Sequence, residues 1–139
     1  MEWTFESLEK PELIRVLCSG IFTSADFAAM FDELFLLSYW HLRIPVFFDY
    51  REVEVTKTSP MELLAASNNF ISHNASLAYT RISLLFDSQK SYETGLRFAA
   101  ITRQSTEAFV KMFRDEEPAM NWVAPQSQRP IDAASGHSR

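Results

Sequence analysis

The sequence predicts a single α/β domain with elements in the order β-β-α-β-α-β-α-β-α, a mixed and mostly parallel sheet covered by helices. Three observations carry this reading. Residues 44–50 and 81–86 are short, nearly continuous apolar runs, the pattern of strands covered on both faces in parallel sheets. Segments with helical spacing of apolar residues separate them, and strand–helix–strand connections cross over right-handedly and pair in parallel. Two β-rich segments precede the first helix and supply an antiparallel edge.

The elements follow in order. Residues 3–8 and 13–19 form a hairpin around Glu9-Lys10-Pro11-Glu12, and Gly20 closes its second strand. Thr23 is placed as the N-cap of the first helix, with Asp26 three positions on. Phe27, Met30, Phe31, Leu34 and Ser38 form its inner stripe, Asp26 and Glu33 its wet side, and Phe35-Leu36-Leu37-Ser38-Tyr39-Trp40 its end. The strand 44–50 tolerates Pro45 near its start. Ser59-Pro60-Met61-Glu62 is a capping box with Pro at the first helical position. Leu63, Leu64, Ser67, Phe70 and Ile71 are its expected inner face. After the strand 81–86, a helix over 90–104 turns Tyr92, Gly95, Leu96 and Ala99 inward, with Gly95 and Ala99 allowing close approach to the sheet. A last strand, 109–113, precedes a short helix beginning at Asp115. Residues 1–123 are thus one domain, and the Pro-, Ser- and Gln-rich stretch 124–139 reads as a disordered tail.

Composition excludes several classes. A chain of 139 residues, 47% hydrophobic and 22% charged, has room for one core, and its twelve Phe make that core aromatic. A formal net charge of −5 with scattered basic residues argues against nucleic acid and against anionic membrane surfaces. The single cysteine, Cys18, allows no internal disulfide and no Cys-pair zinc pattern, which suits the cytoplasm. Met1-Glu2-Trp3 opens acidic with no apolar run behind it, so no secretory leader is expected. The nearly apolar stretch 27–40 is broken by Asp32 and Glu33 and falls short of the roughly 20 residues a bilayer requires, so no membrane insertion is expected.

Four segments give this succession a resemblance. They are Val16-Leu17-Cys18-Ser19-Gly20-Ile21-Phe22-Thr23, Phe47-Phe48-Asp49-Tyr50-Arg51-Glu52-Val53, Arg81-Ile82-Ser83-Leu84-Leu85-Phe86-Asp87 and Val110-Lys111-Met112-Phe113-Arg114-Asp115. The chain resembles the STAS domain, the fold of the anti-sigma-factor antagonists, and in particular its SpoIIAA-like branch. The resemblance implies a non-catalytic regulatory domain. In that family a serine opening the helix after the third strand is phosphorylated by a partner kinase, within Asp-Ser-Ser-Gly. The matching positions here are Lys57-Thr58-Ser59-Pro60, with Lys in place of the acid and Pro in place of the glycine.

Candidate sites follow. Lys57, Thr58 and Ser59 form a phosphoacceptor or anion site, because a helix N-terminus presents free N–H groups and partial positive charge; alternatively, Ser59 is simply the N-cap. Asp49, Asp87 and Asp115 each follow an apolar run, so they could line the carboxyl edge of the sheet, where α/β ligands bind. Helix capping is the better reading of Asp87 and Asp115, because both stand where a helix starts. Leu36, Leu37, Tyr39 and Trp40 exceed what one buried stripe requires and form a candidate interface, unless the following loop folds back over them. His41, His73 and His137 have no ligand spacing, and His73 is placed on the polar face of the second helix; no metal site is expected. Three glycines leave no Rossmann fingerprint or P-loop, and no catalytic serine elbow or zincin motif occurs, so no cofactor is expected.

The resulting expectation is a non-catalytic regulatory or interaction domain, cytoplasmic, with a protein partner or a second copy of itself as a homodimer. The alternative is a carrier of a small apolar or lipid-like molecule, since SpoIIAA-like chains also resemble the smaller core of CRAL-TRIO lipid-transfer domains and twelve phenylalanines could line a pocket.

Overall fold

The computed structural model describes residues 1–124, so the expected tail lies, apart from Ala124, outside the described residues. The elements are β1 (Glu2–Glu9), β2 (Glu12–Ile21), α1 (Ser24–Leu34), β3 (Val46–Glu54), α2 (Pro60–Ser72), α3 (Asn74–Leu77), β4 (Arg81–Leu85), α4 (Gln89–Thr102), β5 (Phe109–Phe113) and α5 (Glu116–Val123). The short α3 is the one element absent from the expected order.

The five strands lie in the order β1-β2-β3-β4-β5. β1 pairs antiparallel with β2, and every later neighbour is parallel. The three apolar runs are side by side: Phe48 faces Leu84, and Leu84 faces Met112. Because strand order follows chain order, each crossover steps in the same direction. The right-handed rule then puts α1, α2 and α4 on one face. Among the described residues α5 alone packs on the other, against β3, β4 and β5.

The three-helix face carries the main core. Phe31 of α1 meets Phe27, Phe48, Phe70 and His73 with ring centroids 5.0–5.9 Å apart, and Phe70 in turn meets Phe98 of α4 at 5.5 Å. Edge-on aromatic pairs add about 0.5–1.5 kcal/mol each beyond the area they bury. The other face has a smaller core of Leu13, Phe47, Leu85, Ala119 and Val123.

Several local expectations shift. α1 stops at Leu34, and the chain from Phe35 to Trp40 turns back, so Phe35, Leu37, Tyr39 and Trp40 pack partly buried on the core while Ser38 is exposed. On α2 the inner face is Leu63, Ala66, Ser67 and Phe70; Leu64 is exposed and Ile71 only half-buried. α4 is capped by Ser88, whose hydroxyl accepts from the Ser91 amide at 3.1 Å, and not by Asp87. Its buried side is Ser91, Thr94, Gly95, Phe98, Ala99 and Thr102, while Leu96 faces water and Tyr92 is half-buried. His73 is the C-cap of α2, with its ring against Phe31 and Phe35, and so does not lie on a polar helix face. The close approach at Gly95 is real: a Cβ there would stand 2.7 Å from the Phe86 ring.

Phe31→Ala is expected to lower stability by about 3–5 kcal/mol in denaturant titrations, as large cavities do. Leu64→Ala, on the wet side of α2, is expected to stay within about 0.5 kcal/mol.

Candidate functional site

The start of α2 is built by a divided capping box. Ser59 is extended, and its hydroxyl accepts from the Glu62 amide at 3.1 Å. Glu62 does not return the bond to its own cap. Its carboxylate accepts from the Ser24 amide at 2.9 Å and the Ser24 hydroxyl at 2.8 Å, joining the start of α2 to the start of α1. Those bonds, the backbone one first, hold the Glu62 carboxyl below its ordinary range. Lys57 and Ser59 are exposed, and Thr58 is half-buried. The structure therefore brings Lys57, Thr58 and Ser59 together on the rim at the carboxyl ends of the strands.

Thr58 also lines a cavity of about 40 Å³ inside that rim, whose walls include Phe22, Phe27, Tyr50, Leu63 and Phe98. Tyr50 is 3% exposed, and its hydroxyl has no hydrogen-bond partner among the described residues. Burial foremost, with the neighbouring Cys18, pushes the phenol well above its ordinary range. Cys18 is a buried thiol pushed up to about 12, by burial first and then by Asp49, so it stays protonated and unreactive near neutral pH.

The three aspartates do not share an edge. β3 continues through Arg51, Glu52 and Val53 to Glu54, which leaves Asp49 in mid-strand. It lies on the α5 side of the sheet, 7% exposed, between two arginines. Arg51 donates through Nε to Oδ1 at 3.0 Å and through Nη2 to Oδ2 at 2.7 Å, and its amide also reaches Oδ1 at 3.1 Å. Arg15 Nη2 approaches Oδ2 at 3.4 Å with its guanidinium over the Phe47 ring, and Glu116 at the start of α5 takes Arg51 at 2.9 Å. Burial works against the charge on Asp49, but the hydrogen bonds and charge of Arg51, with the charge of Arg15, outweigh it and hold the carboxyl below its usual range. Asp87 and Asp115 are exposed; Asp115 sits at the N-cap position of α5 without a side-chain capping bond. Among the described residues no group of three or more His, Cys, Asp or Glu is placed to hold a metal ion.

Of the candidate interface residues, Leu37, Tyr39 and Trp40 are partly buried, with Trp40 edge-on to Phe35 at 5.0 Å. Leu36 stands 84% exposed. No described helix is long and apolar enough to cross a membrane. Sequence reasoning missed the buried Tyr50 hydroxyl, the bonds from Ser24 to Glu62 and the pairing of Asp49 with Arg15 and Arg51. The last did carry a signal: two arginines and an aspartate inside otherwise apolar strand runs must find partners there.

No protein-family model and no curated protein matches the chain. Among solved structures, the crystal structure of an uncharacterized protein of the DUF3478 family, with a SpoIIAA-like fold, from Shewanella loihica PV-4, is similar to it. The TM-score is 0.57, with 88% of this chain and 92% of that chain covered at 15% identity. The likeness is one of fold: this chain is an α/β domain with a SpoIIAA-like architecture, as its strand order and crossovers also require.

Asp49→Asn leaves two guanidinium groups without the charge they face, and a loss of about 1–3 kcal/mol is expected at pH 7 in urea titrations. The folded-state pKa of Asp49 is depressed, so its contribution is complete above the unfolded carboxylate range near pH 3.9 and fades as pH falls through the lower folded value. The gap between parent and variant should accordingly close in acid. Tyr50→Phe removes an unpartnered buried hydroxyl and is expected to raise stability by about 1 kcal/mol; a loss of that size in a thermal melt would mean the hydroxyl has a partner.

Proposed function

We propose that the chain is a non-catalytic regulatory domain of the STAS type, cytoplasmic, acting through protein contacts that include a second copy of itself. The observation that carries this reading is Leu36. The neighbouring Phe35, Leu37, Tyr39 and Trp40 fold back onto the core, yet Leu36 remains 84% exposed, and Leu42 in the same connection is 67% exposed. Large apolar side chains held outward in one connection are the composition of a contact surface. The SpoIIAA-like fold and the lack of catalytic motifs in the sequence support the non-catalytic half of the reading.

Lys57, Thr58 and Ser59 are the proposed regulatory contact, just before the start of α2, which Glu62 ties to the start of α1 and not to its Leu36 end. A phosphate on Thr58 or Ser59 would lie beside the positive end of α2 and the Lys57 ammonium. On Ser59 it would also modify the oxygen that caps α2 by accepting from the Glu62 amide.

Size-exclusion chromatography with light scattering is expected to give a dimer mass for the full chain and a monomer mass for Leu36→Glu. A parent protein that stays monomeric at high concentration would reject self-association. Intact-mass measurement of protein from native cells is expected to show phosphate on the parent and none on a Thr58→Ala, Ser59→Ala double variant; equal phosphate on both would remove the regulatory contact.

A further inference from the structure

Strand β5 ends the sheet on one side, and among the described residues no strand pairs with its outer edge. Its backbone groups divide by position. The Phe109 amide donates to the Thr80 carbonyl at 2.8 Å, and the Phe113 carbonyl accepts from the Phe86 amide at 2.9 Å. In a parallel ladder alternate residues serve the same neighbour, so Phe109, Lys111 and Phe113 face β4 while Val110 and Met112 turn their amides and carbonyls outward. Ala108, just before the strand, gives its amide to the Thr106 hydroxyl at 3.1 Å.

An open edge recruits another strand unless something opposes it, and an edge lysine is a common guard. Lys111 guards one register only. Antiparallel pairing of β5 with itself about Lys111 sets two lysines opposite each other, which is unfavourable. Moved to Phe109, the centre of pairing makes the same edge complementary to itself. Glu107, Phe109 and Lys111 are exposed at alternate positions, and read against themselves they set acid opposite base on either side of a central ring. In this register the outward Val110 amide of one copy meets the outward carbonyl side of Ala108 in the other. The apolar patch beside the edge is continuous with the connection that carries Leu42. Phe109 and Tyr79 are both half exposed with ring centroids 6.3 Å apart, and Arg43 stands over Tyr79 at 5.3 Å.

We infer that a second copy of the chain adds to the sheet here: β5 pairs antiparallel with the partner's β5 about a two-fold axis at Phe109, which places Lys111 opposite the partner's Glu107. This rests on the self-association proposed from Leu36 and Leu42 and names where the two copies meet. Two-fold symmetry makes the Lys111–Glu107 pair and the Val110–Ala108 bond occur twice, around one Phe109–Phe109 contact. Glu107 is held ready for it, since its carboxylate accepts from the Tyr79 hydroxyl at 2.8 Å and from Asn74 Nδ2 at 3.1 Å, and so loses little freedom on pairing.

The test is light scattering behind size exclusion on the full chain, with amide exchange at Val110 as a second readout. The parent is expected to be a dimer with a protected Val110 amide. Lys111→Glu and Glu107→Lys are each expected to be monomers with that amide exposed, and an equal mixture of the two should return a dimer, because each supplies the charge the other lacks. A Lys111→Glu protein as dimeric as the parent would overturn this edge and leave the Leu36 surface standing. A mixture that stays monomeric would overturn the register. A monomeric parent would reject self-association itself, and a protected Val110 amide in that monomer would give the edge to the chain's own residues 125–139. Should Glu107→Lys fail to fold, Val110→Pro decides: it removes an amide that serves no neighbour within the sheet, as an edge strand tolerates, and a dimer there would overturn the pairing.

Discussion

Phe31 is the point at which α1, α2 and the sheet meet, and the arrangement of the whole domain depends on that junction. Its ring touches Phe48 on β3 and Phe70 on α2, while Phe70 and Phe27 both reach Phe98 on α4. An aromatic chain therefore runs through three helices that the crossover rule has already placed on one face. Rings suit this task because each fills a wide volume with few rotatable bonds, and tilted pairs leave little freedom to slide. With sequential strand order, no helix of a crossover is left for the opposite face, and among the described residues α5 alone covers part of it.

That asymmetry accounts for the charge inside the sheet. α5 meets β2 at Leu13 and Arg15, and the strand faces beside that contact carry Arg15, Asp49 and Arg51 among apolar neighbours. A carboxylate 7% exposed would be neutral if it stood alone. Two guanidinium groups reverse that, and Arg51 does so with paired hydrogen bonds. Glu116 extends the network to α5 and sets where that helix begins against β3. The cluster is a structural joint between the thinly covered face and the one helix that lies on it. It offers no free carboxylate for chemistry, because both oxygens of Asp49 are engaged.

Much of this fold was legible because burial on two faces leaves an unmistakable apolar run at 44–50 and 81–86, and 109–113 pairs beside them as the more exposed edge strand. Caps at Thr23 and Ser59 were equally plain, since side chain and position agree. What escaped was phase and length. Leu64 and Leu96 look inward by hydrophobicity alone, yet Ala66 and Thr94 take the inner positions, because three helices crowd one face and small residues let them approach. β3 outruns its apolar stretch because a register shift in β2 between Leu17 and Ser19 lets pairing continue through Glu52, Val53 and Glu54. That extension moved Asp49 from an expected strand end to mid-strand. The site at Lys57, Thr58 and Ser59 was legible as a helix start, but the cavity behind Thr58 was not. It depends on which rings happen to leave space, a property of the packed whole.

The same crowding explains why space is left where it is. Gly95 brings α4 against Phe86 at one point, and the aromatic chain fixes α1 and α2 against α4 at another. The loops entering α1 and α2 both border the remaining space, through Phe22, Val55 and Thr58, and Glu62 joins the two helix starts by taking both Ser24 donors. The space that remains, about 40 Å³, is smaller than a single ring and is the residue of fitting rigid aromatic side chains together.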